Sequence, residues 1–405
     1  MSKLRAYKKR LQEAARDPQI SIALERAIAS YRKNVDDALK KFPHTLKMAE
    51  EVRQIKEESI PRLGNLVEQA CEAIRENKGQ AFVARTPAEA LEIIDGIVGS
   101  GKLIVKGKSL TGEEIDLREH LEERGNEVYE TDLGEYIIQL LGIKPMHLLA
   151  PAVHVPKEEV AKLLSRVTGK DIPPDIQAEV ATVRGILRDK FFRAQIGMSG
   201  ANVVAADTGT LFQIENEGNI RLSTAAPPVY IALVGMEKVV PTIEDAFKVA
   251  EVTWRYAGYT VPAYLNLVSG PSKTGDIEKV TTYGAHGPKE MYVIFLDAGR
   301  SQLAEDPVFQ EALYCLRCGG CLYECPLFAV TAGRFGDKYF GGIGAIWTAF
   351  VTGDLAKAAP LTYSCLSCGR CKVRCPVEID APQMCLELRK RIVAEAEGGP
   401  STSES

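Results

Sequence analysis

The sequence predicts an α/β protein with a helical arm before the sheet and a helical module after it. Three observations predict this. Before residue 79 glycine is nearly absent and apolar residues recur at helical steps, as in Ile20, Leu24, Ile28 and Tyr31. Through the middle of the chain, short apolar runs alternate with helical segments, the pattern of a mostly parallel sheet with helices on both faces. Beyond residue 299 two cysteine runs share one internal spacing.

Each part can be taken in order. Pro43 and Pro61 cut residues 1–78 into at least three helices, an arm that packs on the next domain or docks a partner. In residues 79–298, Ala81 to Ala84 reads as a strand. Thr86, Pro87 and Glu89 open the helix that follows it. Leu103 to Val105 is the next strand, and Thr111 with Glu114 predicts a second capping box. Val128-Tyr129, Leu148-Leu149, Val203 to Ala205, Ile231 to Val234 and Tyr292 to Leu296 are further strand candidates. Residues 299–396 form the cysteine-bearing module, with Gly341, Gly342 and Gly344 expected at tight turns. Residues 397–405 are glycine, proline, serine and glutamate, the composition of a disordered tail.

Composition narrows the function. The chain has 405 residues, 45% of them hydrophobic, with 50 basic and 54 acidic residues and a net charge of −4. That balance offers no basic footprint for nucleic acid. No apolar run reaches the roughly 18 residues that span a bilayer, and the basic N-terminus lacks the apolar core of a secretory signal.

Eight of the ten cysteines form two C-x2-C-x2-C-x3-C-P runs: Cys315, Cys318, Cys321 and Cys325 before Pro326, then Cys365, Cys368, Cys371 and Cys375 before Pro376. This spacing wraps thiolates around a [4Fe–4S] cluster. Two-residue gaps let one tight loop reach three corners of a cubane, and the proline turns the chain away. Gly319 and Gly369 stand where backbone approaches the cluster. Zinc is the rival for CxxC pairs, but zinc sites usually take two separated pairs. In two-cluster ferredoxins the fourth cysteine of each run ligates the other cluster. The expected sets are therefore Cys315, Cys318 and Cys321 with Cys375, and Cys365, Cys368 and Cys371 with Cys325. The long insert between the runs suits a helical ferredoxin. Arg370, Lys372 and Arg374 in the second loop predict a higher potential for the cluster it mainly holds. Cysteines used this way imply a reducing, cytoplasmic setting. Cys71 and Cys385 are expected as small buried hydrophobes.

In parallel sheets ligands sit beyond the carboxyl ends of the strands, and the loops there are polar. Lys106 and Lys108, with backbone near Gly197 and Gly200 and the side chain of Asn202, are candidates for binding an anionic ligand or cofactor. Glu215 and Glu217 lie in the next such loop. Glu130, Asp132 and Glu135 are candidate catalytic carboxylates, or else the acidic start of a helix. His147 and His154 are expected to be structural. No GxGxxG unit or P-loop signals NAD or ATP.

These loops carry a resemblance. The central domain resembles the LUD domain of lactate-utilisation proteins at Val105-Lys106-Gly107-Lys108-Ser109, Glu130-Thr131-Asp132-Leu133-Gly134-Glu135, Asn216-Glu217-Gly218-Asn219-Ile220-Arg221, Glu237-Lys238 and Leu296-Asp297-Ala298-Gly299-Arg300. With the cysteine motifs behind it, the chain resembles the iron–sulfur subunits of L-lactate utilisation complexes. The resemblance implies a sheet related to sugar-phosphate isomerases and CoA-transferases. It also implies electron transfer during oxidation of L-lactate or a similar 2-hydroxy acid, with partner subunits carrying cysteine-rich and LUD-only domains. A membrane would be met only through such partners. A hydroxy acid gives up two electrons and a cluster takes one, so a flavin or other organic cofactor is expected in the LUD domain or a partner. Two other readings stay open: an acyl- or CoA-transferase-like catalyst with Glu215 or Glu217 as nucleophile, and a non-catalytic bridging subunit.

Overall fold

The computed structural model describes residues 2–397, with side chains from Leu4 onward. The expected tail lies outside the described residues except for Glu397. Among the described residues twelve strands follow in chain order: β1 (Gln80–Ala84), β2 (Leu103–Lys106), β3 (Glu127–Glu130), β4 (Ile196–Ser199), β5 (Val203–Ala205), β6 (Thr210–Glu215), β7 (Val229–Gly235), β8 (Val239–Val240), β9 (Tyr264–Val268), β10 (Lys273–Thr274), β11 (Thr282–Tyr283) and β12 (Glu290–Leu296). Six make one sheet in the order β1-β12-β7-β4-β2-β3, every pair parallel.

The sheet's side chains alternate between faces with the period of two that a pleated strand imposes. Ile231, Leu233, Ile294 and Leu296 pack with Ile94, Val98 and Leu121 from helices Pro87–Val98 and Leu117–Glu123. Tyr230, Ala232, Val234, Val293 and Phe295 face the other way, against helix Leu63–Glu76. Further along that face, Leu103 and Val105 are covered by helices Lys157–Thr168 and Ile176–Arg193. A smaller sheet, β8-β5-β6-β9, stands beside the large one.

Several expectations shift. The Leu148-Leu149 strand is absent: the segment from Ile143 to Pro156 is turns and loop, interrupted by Pro145 and Pro151, which cannot donate to a ladder. The second capping box moves two residues back. Ser109, not Thr111, caps the short helix Leu110–Glu114 by accepting from Gly112 N at 3.2 Å. Gly197 belongs to β4, paired with Val105 and Tyr230, rather than to a turn, and it must be glycine because a Cβ there would lie 1.7 Å from the Ser223 carbonyl oxygen. Gly341, Gly342 and Gly344 all fall in the first turns of helix Gly341–Thr352. Only Gly341 needs positive φ (75°), and Gly344 lets the helix lie against the Tyr339 backbone.

Helices Ser2–Ala15, Pro18–Lys41 and His44–Ser59 lie between the small sheet and the cysteine module. Tyr7, Leu24 and Val52 share a core with Phe212, Phe328 and Trp347. Arg32 forks onto Glu324 at 3.1 and 2.9 Å, and Arg53 donates to the Val377 carbonyl at 2.6 Å. The cysteine module itself is helical, with Gly341–Thr352, Leu355–Ser364 and Ala381–Ala396 as its frame. Among the described residues no helix is long and apolar enough to cross a membrane.

Candidate functional site

The two cysteine loops have the same backbone. Gly319 (φ 78°) and Gly369 (φ 79°) open the short helices Gly320–Glu324 and Arg370–Arg374, and each motif carries one strained non-glycine residue, Arg317 (φ 61°) and Ser367 (φ 51°). Such conformations cost about 1–3 kcal/mol where surroundings impose them, so their recurrence at matching positions marks a shape that both loops must hold.

All eight motif cysteines line one cavity. Their electrostatic neighbours lie across the two loops as well as within them. Beyond burial, the thiols that raise Cys375 are Cys318 and Cys315, and those that raise Cys325 are Cys365 and Cys368. Cys371 feels Cys365, Cys325 and Cys368. Cys321 feels Cys315, Cys318 and Cys375, and only then Cys371, where the two sets adjoin. Cys368 is the motif cysteine that reaches the surface, while Cys385 is buried and lies beside Cys365. Gly342 belongs to the same wall: a Cβ there would meet the Cys365 sulfur at 3.4 Å.

The donor set fits iron–sulfur clusters. A lone zinc ion needs four ligands roughly 2.3 Å from one point. Among the described residues no three His, Cys, Asp or Glu side chains close that tightly; the thiols ring a shared space instead, as a cubane requires. The surrounding charge fits as well. Lys56 and Arg300 are buried, Arg317 is 9% exposed, and Lys238 is part-buried. Against these cations stand the buried carboxylates of Glu114 and Glu237. Burial alone would raise Glu237; Arg300 and then Arg317 outweigh it and hold the carboxyl well below its usual range. Desolvation pulls the Lys56 ammonium down to about 8 and lowers that of Lys238 too. Both feel Cys315. The surplus of buried positive charge is the counterpart of a thiolate-ligated cluster, which carries roughly two negative charges when oxidised.

The Arg300 guanidinium forks onto Glu114 at 3.0 and 2.7 Å, bonds Glu237, and donates to the Asp297 carbonyl at 2.9 Å. Glu114 also accepts from the Tyr339 hydroxyl. Arg317 reaches Glu237 at 3.4 Å and lies 3.8 Å over the Trp347 ring. This network ties the carboxyl ends of the sheet to the cysteine module.

A second cavity, of about 260 Å³, lies at that seam. Lys108, Asp132, Gly200, Asn202, Glu215 and Glu217 line it, all named by sequence reasoning. Lys106, Glu130, Glu135 and Gly197 do not line it. Lys106 is 1% exposed and pairs with Glu130 at 2.7 Å. Burial would lower its ammonium, but the carboxylates of Glu130 and Glu113 outweigh this and hold it above its ordinary range. Glu135 pairs with Lys108 at 3.3 Å. Asp132 caps helix Leu133–Leu141, accepting from Glu135 N at 3.0 Å. Both Glu215 oxygens are taken, by Ile220 N, Arg221 N and Asn266 Nδ2 at 2.8, 3.1 and 2.7 Å. Glu217 still reaches solvent, yet desolvation by the cavity wall and repulsion from Asp132 push it up to about 7.

Sequence reasoning missed Gln213, Lys238, Trp254, Tyr259, Arg317 and Tyr339 as part of this cavity. Only the Glu237-Lys238 pair within a recognised stretch hinted at one of them. Leu148, Arg317, Cys318 and Tyr339 line both cavities, so they share a wall. His147 is structural as expected: its Nδ1 accepts from Leu149 N and Ala150 N at 3.0 and 3.2 Å.

Comparison with known proteins finds two domains in the chain. Residues 67–296 match the LUD domain, and residues 311–379 match the 4Fe-4S dicluster domain. Lactate utilization protein B of Bacillus licheniformis is 36% identical over 88% of this chain and 73% of its own length. The protein of that name from Bacillus pumilus is 32% identical over 99% and 83%. An uncharacterized electron transport protein, YkgF, of Escherichia coli is 31% identical over 96% and 80%. A crystal structure of a DUF162 family protein from Deinococcus radiodurans aligns with a TM-score of 0.29 and 16% identity, over 58% of this chain and 98% of that one.

Proposed function

This chain belongs to the LUD-domain iron–sulfur family that includes lactate utilization protein B, and from that premise we propose that it is the electron-transfer subunit of a system oxidising L-lactate or a similar 2-hydroxy acid. The observation that carries the reading is that all eight motif thiols line one cavity, which shares a wall with the LUD cavity. Cys315, Cys318, Cys321 and Cys375 would hold one [4Fe–4S] cluster, and Cys365, Cys368, Cys371 and Cys325 the other. When bound, the clusters supply one-electron carriage. The protein's own residues do the rest. Arg317, Lys56 and Lys238 offset negative charge beside the first set, and the exposure of Cys368 leaves the second set open to a partner.

Lys108, Asp132, Gly200, Asn202 and Glu217 are proposed to line the small-acid site, while Glu215 shapes it by holding the start of helix Asn219–Ala225. Glu135 holds Lys108 in place by its ion pair, and Lys106 pairs with Glu130 behind them. The cavity falls just below the roughly 300–1,000 Å³ of sites that enclose drug-sized ligands. That supports a small acid here and a flavin or other two-electron cofactor in a cysteine-rich or LUD-only partner subunit. Glu215, fully bonded to amides, gives no support to acyl transfer.

The test is metal and sulfide analysis of anaerobically purified protein with paramagnetic resonance. About eight irons and eight sulfides per chain, with two interacting cubane signals on reduction, are expected. Stoichiometric zinc with no iron would overturn the reading.

A further inference from the structure

The seam cavity is lined by polar groups whose bonding capacity is not used up. Lys108 Nζ has no hydrogen-bond partner among the described residues, and its nearest carboxylate, Glu135, stands at 3.3 Å. Gln213 is 1% exposed. Its Nε2 donates to the Gly200 carbonyl at 3.2 Å and lies 2.7 and 2.8 Å from the Ser199 and Tyr230 hydroxyls. A carbonyl can only accept, so that bond fixes which end of the amide is nitrogen. Gln213 Oε1 is then a buried acceptor, unpartnered among the described residues. Lys238 lines the same cavity and forms no ion pair among the described residues.

Two cations and one acceptor are the complement of a carboxylate with a hydroxyl beside it. The carboxylate takes the charged donors, and the hydroxyl donates to Gln213 Oε1. The volume, about 260 Å³, is several times the ~30 Å³ share of one water, room for an acid of a few carbons. Asp132, Glu215 and Glu217 also line the cavity, but each accepts from backbone amides, of Glu135, of Ile220 and Arg221, and of Leu133 respectively, which offsets part of their charge.

Arg317 and Cys318 form part of the same wall, so a bound anion would sit across that wall from the first thiol set. We propose that the cavity binds a small 2-hydroxy carboxylate through Lys108, Lys238 and Gln213, and that this binding and reduction of the adjacent cluster oppose each other. The proposal rests on the reading that Cys315, Cys318, Cys321 and Cys375 hold a cluster. Reduction adds one electron, hence one negative charge, on the far side of cations that the ligand also needs. Like charges facing each other across a poorly solvated wall destabilise each other. Linkage makes the effect reciprocal: the factor by which reduction weakens the acid is the factor by which the acid disfavours reduction. A hydroxy acid would then leave, or fail to enter, until the electron has moved on. The matching 2-oxo acid has no hydroxyl proton for Gln213 Oε1, so the site prefers the hydroxy form.

The test uses the cluster-loaded full chain. Calorimetry with L-lactate, pyruvate and acetate should show L-lactate binding oxidised protein tightest. Redox titration followed by paramagnetic resonance, with and without saturating L-lactate, should show one cluster's midpoint falling while the other moves less. A tenfold preference for oxidised protein corresponds to a fall of about 59 mV. Lys238→Met and Lys108→Ala, both with unchanged iron content, should weaken binding at least about tenfold and shrink the shift; Gln213→Leu should erase the preference over pyruvate. L-lactate binding with no midpoint shift would overturn the coupling and leave the acid site standing. If none of the three acids binds, the site is wrong, whereas loss of the electron-carrier reading would show in the iron and sulfide content instead.

Discussion

Replacing Arg300 by methionine probes what joins the sheet to the cysteine module. The side chain is fully buried. Its loss removes the fork to Glu114, the bond to Glu237 and the bond to the Asp297 carbonyl. Methionine keeps apolar volume near Trp347, so the change is chiefly one of charge. Removing one partner of a buried ion pair costs about 3–5 kcal/mol, because the other charge is left buried and uncompensated. Here two carboxylates are exposed to that penalty, but neither is abandoned. Glu114 keeps the Tyr339 hydroxyl, and Glu237 keeps Arg317 at 3.4 Å. A loss in the lower half of that range is therefore expected. A chain of this size with bound clusters will not unfold reversibly, so the readout is the thermal midpoint at a fixed scan rate. It should fall by about 3–5 °C. Adding Glu114→Gln to the Arg300→Met variant removes one stranded charge and should restore part of the loss. Arg300→Lys keeps the charge without the fork and should lie between. A midpoint within about 1 °C of the parent for Arg300→Met would refute the reasoning. So would a double variant that loses the sum of the two single losses, since coupled residues should not add.

Cys325→Ala should convert only the cluster held by Cys365, Cys368 and Cys371 to a three-iron species; damage confined to the cluster of Cys315, Cys318 and Cys321 would show uncrossed ligation. Asp132→Asn keeps a good helix cap but removes a carboxylate from the cavity, so turnover in the assembled complex should fall with no change in melting temperature, and unchanged turnover would return Asp132 to capping alone. Because Glu217 is pushed up to about 7 by desolvation and Asp132, it is neutral below that pH and negative above it. Affinity for a carboxylate should therefore decline as pH rises through about 7 in calorimetry, and Glu217→Gln should flatten the profile.

The cysteine spacing was readable because a cubane imposes its geometry locally: Gly319 and Gly369 take the same positive φ that the motif requires. The polar loops were readable because a parallel sheet gathers the carboxyl ends of its strands. What stayed hidden depends on contacts between distant segments. Gly197 looks like a turn residue until the Ser223 carbonyl is seen against it. Lys106 and Lys108 look equivalent, yet Lys106 belongs to a strand and turns to Glu130, while Lys108, beyond the strand end, reaches the cavity. Charge is the clearest case. Counting cations along the second loop predicted that its cluster would be the easier to reduce. In the fold, Arg370 and Arg374 share Glu324 with Arg32, Arg374 also meets Asp36, and Lys372 pairs with Asp380; these part-exposed charges are screened by water. Lys56, Arg300 and Arg317, with the part-buried Lys238, outnumber the carboxylates of Glu114 and Glu237 beside them. Lys56 reaches the Glu237 carbonyl at 2.5 Å across 181 residues of chain, a contact no local pattern encodes. Buried charge is screened far less than exposed charge, so the positive field that favours an added electron lies at the first thiol set, beside the acid cavity. An electron arriving there would meet the charge that welcomes it and, by the coupling proposed above, the ligand that opposes it.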